Sequence, residues 1–258
     1  MEKHKPLYPW SREVARESGQ TDLWDESYNE NCRCARAIER MIALHYKDDR
    51  LNADGAKSVI GEYGYDRVNW VLANTVQMAH GEGRYSEDNR KWSRGFMIPH
   101  DSHLKRSTFA VTSHPGLVDI FINQARKEWQ ALGLYDEKSC YENSRSQLDY
   151  KGKVVVIDAR ALKDEFKTPD GQLFYAKFGN GCRPDALGTK VFGKFLKDGA
   201  EDVFLRSEIE GVMKLELLPD WAKEKMAEIQ SQDENNTEVP YFAKQYRVNA
   251  RRTARVRY

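Results

Sequence analysis

The chain has 258 residues, of which 40% are hydrophobic and 31% charged, a balance that excludes disorder as the main state. No stretch approaches the roughly 20 consecutive apolar residues of a membrane helix, and the charged N-terminus lacks the apolar core of a secretion signal. We therefore expect a cytoplasmic protein with no membrane partner. Four cysteines are too few and too scattered for a disulfide scaffold.

The net charge of +1 conceals an uneven distribution along the chain. Residues 1–150 carry a net charge of −2 and residues 151–240 carry −3, whereas residues 241–258 carry +6. Residues 241–258 are called the basic segment below. A positive arm on a faintly acidic body is typical of a protein that contacts nucleic acid or an acidic protein surface.

The first half of the chain reads as a series of amphipathic helices. Ser11 is placed to cap the first helix, and Pro115 suits the first turn of the last one. A short strand is predicted over residues 108–112. The predicted helices cover residues 11–18, 21–46, 52–63, 66–80 and 115–132.

The second half changes to short apolar runs separated by glycines, which predicts a small β-sheet or partly open barrel. The predicted strands cover residues 154–157, 172–178, 190–196, 202–205 and 211–215, and a closing helix follows from Pro219 to Ile229. The fold class is therefore α+β. The predicted divisions are a helical domain over 6–133, a linker over 134–150, a β-rich domain over 151–229, and a spacer with the basic segment over 230–258.

Three arginines of the long predicted helix, Arg33, Arg36 and Arg40, occupy positions i, i+3 and i+7 and form what we call the arginine ridge. Such a ridge is suited to phosphate contacts, although a solvated face with ordinary ion pairs has the same pattern. On the helix that begins near Asp66, the amide stripe consists of Trp70, Asn74 and Gln77. It suits a base edge or a partner surface, and equally packing against a neighbouring helix.

Catalytic and metal-binding patterns are weaker. His100, Asp101 and His103 have ligand types that suit zinc or iron, but their spacing matches no ligand signature, and a polar loop explains them. Ser113, His114 and Asp119 supply the residue types of a hydrolytic triad, but adjacent Ser and His side chains diverge, and capping of the helix at Pro115 by Ser113 or His114 is the better interpretation. No cofactor is predicted.

The basic segment interleaves arginines with aromatic residues. Arginine makes salt-sensitive phosphate contacts, and aromatic rings stack on exposed bases, so this is the strongest indication of a DNA, RNA or ribonucleoprotein partner. Docking of the segment on the acidic body of its own chain remains the alternative. The candidate contact residues are Arg247, Arg251, Arg252, Arg255, Arg257 and Tyr246.

Several separated motifs carry a family resemblance. They are Leu7-Tyr8-Pro9 with residues 11–17, residues 34–39, residues 71–77, Arg84-Tyr85-Ser86 and residues 113–119 (SHPGLVD). In this order and spacing they resemble the domain-of-unknown-function family 3849, over about residues 6–130. The resemblance implies a context in conjugative elements and prophages of gut Firmicutes, where counter-defence proteins are common. It implies no catalytic residues.

These observations lead to one functional hypothesis and two alternatives. The leading hypothesis is a non-enzymatic mobile-element protein that binds and inhibits a host defence protein or ribonucleoprotein complex, of the anti-CRISPR or antirestriction type. The first alternative is a DNA- or RNA-binding accessory factor of the element. The second is a metal-dependent hydrolase that uses His100, Asp101 and His103.

Overall fold

The computed structural model describes residues 4–48, 50–79, 81–99, 109–183 and 188–235. It divides the chain into two compact units, the first running to Ala131 and the second beginning at Leu132. The expected α+β class is confirmed, because helices form the first unit and a sheet with a following helix forms the second.

The described part of the first unit is built from helices and one short hairpin. Ser11 caps α1 by accepting a hydrogen bond from the Val14 N–H at 3.3 Å, as the sequence predicted. Gly64, at φ +81°, provides the left-handed turn between α3 and α4. The elements are α1 (Arg12–Glu17), α2 (Thr21–His45), β1 (Tyr46–Lys47), β2 (Arg50–Leu51), α3 (Asp54–Tyr63), α4 (Tyr65–Met78), α5 (Glu87–Ser93) and α6 (Pro115–Gln130).

The core of the first unit forms where α2, α3, α4 and α6 face one another. Ile38 of α2, Leu72 of α4 and Ile122 of α6 are fully buried there. On α2 the buried positions recur at helical spacing from Trp24 to Ile42, so one side of the helix packs inward. The opposite side of α2 is left to solvent.

The second unit contains a five-stranded antiparallel sheet that curls into a half-barrel. The strand order is β6-β5-β4-β3-β7, and each neighbouring pair is antiparallel. The elements are α7 (Ser144–Gln147), β3 (Lys153–Ile157), α8 (Pro169–Gln172), β4 (Leu173–Phe178), β5 (Lys190–Phe195), β6 (Glu201–Leu205), β7 (Ile209–Val212) and α9 (Asp220–Asn235). Three-residue 3-10 turns lie between some of them.

The sheet has a core on each face. Inside the curl, Phe174, Phe195 and Phe204 contact one another edge to face, with ring centroids 5.2–5.7 Å apart. On the outer face, Val154, Val156, Leu173 and Tyr175 pack with residues of α9, including Ala222 and Ile229. Strands β3 and β4 are therefore covered on both sides, which explains their continuous apolar sequences.

Two stretches differ from the sequence-based prediction. Residues 134–150, predicted to be a linker, belong to the second unit, where Cys140 forms a β-bridge with Met213 and Tyr150 is fully buried. The strand predicted over 108–112 is wrong for residues 109–112, which form a turn and irregular chain. Thr112 is instead held by a side chain, because its N–H and hydroxyl both donate to Glu39.

Candidate functional site

The arginine ridge lies on the solvent side of α2. Arg33, Arg36 and Arg40 are all exposed, whereas Cys34 and Ile38 between them are fully buried. At 3.6 residues per turn, the three side chains start within roughly 60° of one another around the helix axis. The structure thus brings the predicted ridge residues together on one accessible face.

The ridge keeps most of its positive charge. Arg33 donates from Nη1 to Glu30 at 3.1 Å, and Arg36 donates from Nε to the Cys32 carbonyl of its own helix at 3.2 Å. The Arg33 side chain remains 61% exposed, so its ion pair with Glu30 is screened and weak. A guanidinium has five N–H donors, and the bond to Glu30 occupies only part of that capacity.

The one acidic residue between Arg33 and Arg40 in the sequence, Glu39, is directed elsewhere. Its Oε1 accepts hydrogen bonds from the Thr112 N–H at 2.7 Å and from the Thr112 hydroxyl at 2.6 Å. Glu39 therefore fastens the chain before α6 to α2. Its Oε1 accepts from Thr112 and not from the ridge arginines.

The amide stripe is not a contact surface. Trp70 is 8% exposed and Asn74 1% exposed. Gln77 donates from Nε2 to the carbonyls of Ser93 at 2.6 Å and Phe96 at 2.9 Å. Helix α5 and the turn after it cover this side of α4, so the prediction that the stripe binds a partner is corrected in favour of internal packing.

A polar cluster joins α5 to α6 at the positions of two family motifs. One oxygen of Asp119, Oδ1, accepts from the Ser86 N–H at 2.9 Å, the Ser86 hydroxyl at 3.1 Å and the Asn89 amide at 2.8 Å. Asn89 is fully buried, and its own Oδ1 accepts from Arg126 at 2.6 Å. Asp119 thus fixes the start of α5 from a neighbouring helix.

The side chain of His114 caps α6 and does not form a hydrolytic triad. Its Nδ1 accepts the Gly116 N–H at 3.2 Å, and its Nε2 lies 3.1 Å from Nη1 of Arg84. Arg84 also pairs with Glu82 and, by its hydrogen bonds, lowers the pKa of that carboxyl to about 2. Asp119 is hydrogen-bonded to Ser86 and Asn89. The capping interpretation is confirmed, because His114 accepts the Gly116 N–H at the start of α6.

A buried arginine that the sequence reading missed anchors the first family motif. Arg67 is 2% exposed and donates to the carbonyls of Ser27 at 3.0 Å, Lys5 at 3.1 Å and Pro6 at 2.7 Å, and to the side chain of Asn31. Burial lowers its pKa. Its position four residues before Val71, on the core side of α4, was the available signal.

The metal candidates give no site in the described part of the chain. His100, Asp101 and His103 lie outside the described residues, and the residues that are described contain no group of three or more metal-ligand side chains. Cys34 is fully buried, and desolvation raises the pKa of its thiol to about 12, which suits a structural cysteine.

The candidate residues of the basic segment also lie outside the described residues, so their role stays a prediction. None of the helices in the described ranges combines the length and apolar character that a bilayer span requires.

The described units define the class of protein: an α+β chain whose first unit is a helical bundle carrying an arginine ridge and whose second unit is a half-barrel. Residues 7–130 match the family described as a protein of unknown function, DUF3849, which confirms the resemblance expected from the motifs. No curated protein and no solved structure matches the sequence.

Proposed function

We propose that this chain is a non-enzymatic accessory protein of a mobile element that binds and inhibits a host defence complex containing nucleic acid. The observation that carries the proposal is the arginine ridge: Arg33, Arg36 and Arg40 project together from one exposed face of α2. A rigid helix holds them in a fixed spacing, which favours contact with a row of phosphates or carboxylates over scattered surface charge.

The charge distribution supports the same proposal. Six basic and no acidic residues occupy the basic segment, whereas the rest of the chain is net negative. A row of cations on one helix face and a net charge of +6 in the basic segment steer association with a polyanion, while the net negative charge of the remainder disfavours non-specific binding. An inhibitor of a nucleoprotein needs this complementarity and needs no nucleophile.

The side chains whose types resemble catalytic groups have structural roles, which also favours a binding function for the chain. His114 caps α6, and Asp119 holds the start of α5. The mobile-element setting and the defence target, of the anti-CRISPR or antirestriction type, come from the family resemblance and are part of the proposal.

The test replaces the three ridge arginines together by glutamine and measures phage plaquing on hosts that carry a restriction or CRISPR system. The full chain should raise plaquing, and the ridge variant should lose about tenfold or more of that protection, because three charge-assisted contacts are removed. A matched control changes three exposed cations on or next to other helices, Lys91, Arg94 and Lys127, to glutamine. The control should protect like the unaltered chain.

Equal protection by the ridge variant and the unaltered chain would remove the ridge from the mechanism. Absence of protection by the full chain against every defence system assayed would overturn the proposed function.

The second candidate is a DNA- or RNA-binding accessory factor, favoured by the alternation of arginine and tyrosine in the basic segment. Free nucleic acid should then shift in a gel at low salt, with an affinity that falls steeply between 50 and 200 mM salt. That result without phage protection would replace the leading proposal by this one.

A further inference from the structure

A row of three apolar side chains crosses the outer face of the sheet at β4, β5 and β6. Phe178 pairs with Phe192 in the strand register, and Phe192 pairs with Val203. The two rings are parallel within 3°, with centroids 5.1 Å apart. Phe178, Phe192 and Val203 are called the aromatic face below.

The aromatic face continues the surface on which α9 lies. Successive residues of a strand point to opposite sides, so Phe192 is directed away from Val191, which is buried inside the curl. Lys194 is two residues further along β5 and pairs with Tyr175, a member of the α9 core. The outer face therefore extends from α9 to the aromatic face, whose three side chains are all half-buried.

The last turns of α9 lie near the strand that carries Phe178. Gln230 donates from Nε2 to the Gly152 carbonyl at 3.4 Å, and the Gly152 N–H donates to Ala176 at 2.8 Å. Ala176 precedes Phe178 by two residues, about 7 Å along the strand. From Gln230 the helix rises about 7.5 Å more to Asn235, and three extended residues span at most about 10 Å. Residues 239–242 are within reach of the aromatic face.

The sequence of that segment has the matching chemistry. Residues 239–242 read Val-Pro-Tyr-Phe, the one apolar run between the end of α9 and the C-terminus. The acidic residues Asp233, Glu234 and Glu238 precede it. On the sheet, Lys190 and Lys194 flank Phe192 on the same face, Lys194 also pairing with Glu201 at 3.3 Å. An apolar run with acidic residues before it complements an aromatic patch between two lysines.

We propose that residues 239–242 dock on the aromatic face formed by Phe178, Phe192 and Val203, so that the second unit anchors the start of the basic segment. The anchor fixes where the stretch that carries the six cations of residues 244–257 begins, which lowers the entropic cost of binding a partner. This inference needs no partner, so it stands or falls independently of the proposed function.

The test places the photo-cross-linker p-benzoyl-phenylalanine at Tyr241 of the full chain. Irradiation should give an intramolecular cross-link that mass spectrometry maps to peptides within residues 173–205, with a yield that does not change on dilution. Phe192→Thr, which keeps a strand-forming residue, should lower the ratio of docked to undocked chain by roughly tenfold, because it removes most of one apolar contact. Phe192→Leu should retain most of the cross-link.

Circular dichroism of the two Phe192 variants shows whether the sheet is intact. Three results would overturn the proposal. Absence of a cross-link to β4, β5 or β6, or a yield unaffected by Phe192→Thr in a folded variant, would show that the segment does not dock there. A cross-linked dimer whose yield rises with concentration would assign the face to a second copy.

Discussion

Single side chains decide how the family motifs meet in the first unit. Asp119 accepts three hydrogen bonds through one oxygen, and two of them come from Ser86, the residue that caps α5. If Asp119 is replaced by alanine, both donors of Ser86 lose this acceptor, and the buried amide of Asn89 keeps only Asn123 Oδ1 at 3.0 Å and the Asp119 backbone carbonyl at 3.3 Å. We expect the free energy of unfolding of the first unit to fall by about 1–2 kcal/mol, since a donor left without an acceptor costs about 1–3 kcal/mol when buried and Ser86 is half-buried.

Urea unfolding followed by tryptophan fluorescence measures this change, because five of the six tryptophans lie before residue 132. Asp119→Asn is the matched control: its amide oxygen still accepts, so the loss should be less than half as large. Equal losses for alanine and asparagine would mean that the negative charge, and not the acceptor, stabilises the cluster.

The sequence predicted the roles of some of these residues and not of others. Capping is local, because the acceptor and the helix it caps are within three residues. Ser11 was predicted as the cap of α1, and Ser113 or His114 as the cap of α6, of which the structure uses His114. The roles of Asp119 and Arg67 depend on partners more than 30 residues away. A one-dimensional pattern has no periodicity that reports such contacts, so Asp119 read as part of a triad and Arg67 went unnoticed.

At the scale of elements, the long amphipathic helices and the five strands were predicted because their apolar periodicity is strong. Helix α5 was not, because seven residues, mostly polar, provide too short a period. Missing α5 is also why the amide stripe of α4 read as exposed, since α5 is the element that covers Gln77. Residues 134–150 read as a linker because Cys140 and Tyr150 find their partners across the sheet and not nearby in sequence.

A substitution at Gly193 tests how closely β4 and β5 approach each other. A Cβ at this position would lie within about 2 Å of the Tyr175 carbonyl oxygen. Gly193→Ala should therefore destabilise the second unit by several kcal/mol, because a backbone atom cannot move aside without breaking the ladder. Far-UV circular dichroism during thermal unfolding gives the measurement.

Gly61→Ala in α3 is the contrasting variant, because nothing lies within 4 Å of its Cβ. It should raise the stability of the first unit by up to about 1 kcal/mol through helix propensity alone. A Gly193→Ala protein that melts like the unaltered chain would show that β4 and β5 are further apart than described.

On the scale of the whole molecule, the net positive charge lies at the C-terminal end of the chain, whereas residues 1–240 are net negative. The net charge of +1 depends on the last 18 residues, since removing their six cations leaves −5. Composition alone revealed this asymmetry, whereas the exposure of the arginine ridge needed the helix packing of the first unit. The arginine ridge supplies three cations on one helix, and the basic segment supplies six more.

Deletion of residues 243–258 tests how much binding depends on those six cations. The truncated chain keeps residues 239–242 but loses all six terminal cations, so any docking of the apolar run is unaffected while the charge is gone. Each lost phosphate contact should lower the slope of log affinity against log salt by about 0.7–0.9, and capture of the proposed nucleoprotein partner should fall by at least tenfold at 150 mM salt. A full-length chain with Arg251, Arg252, Arg255 and Arg257 changed to glutamine should lose most of the same slope. If both variants bind and protect phage as the unaltered chain does, positive charge at the C-terminus has no part in recognition, and only the arginine ridge is left to explain it.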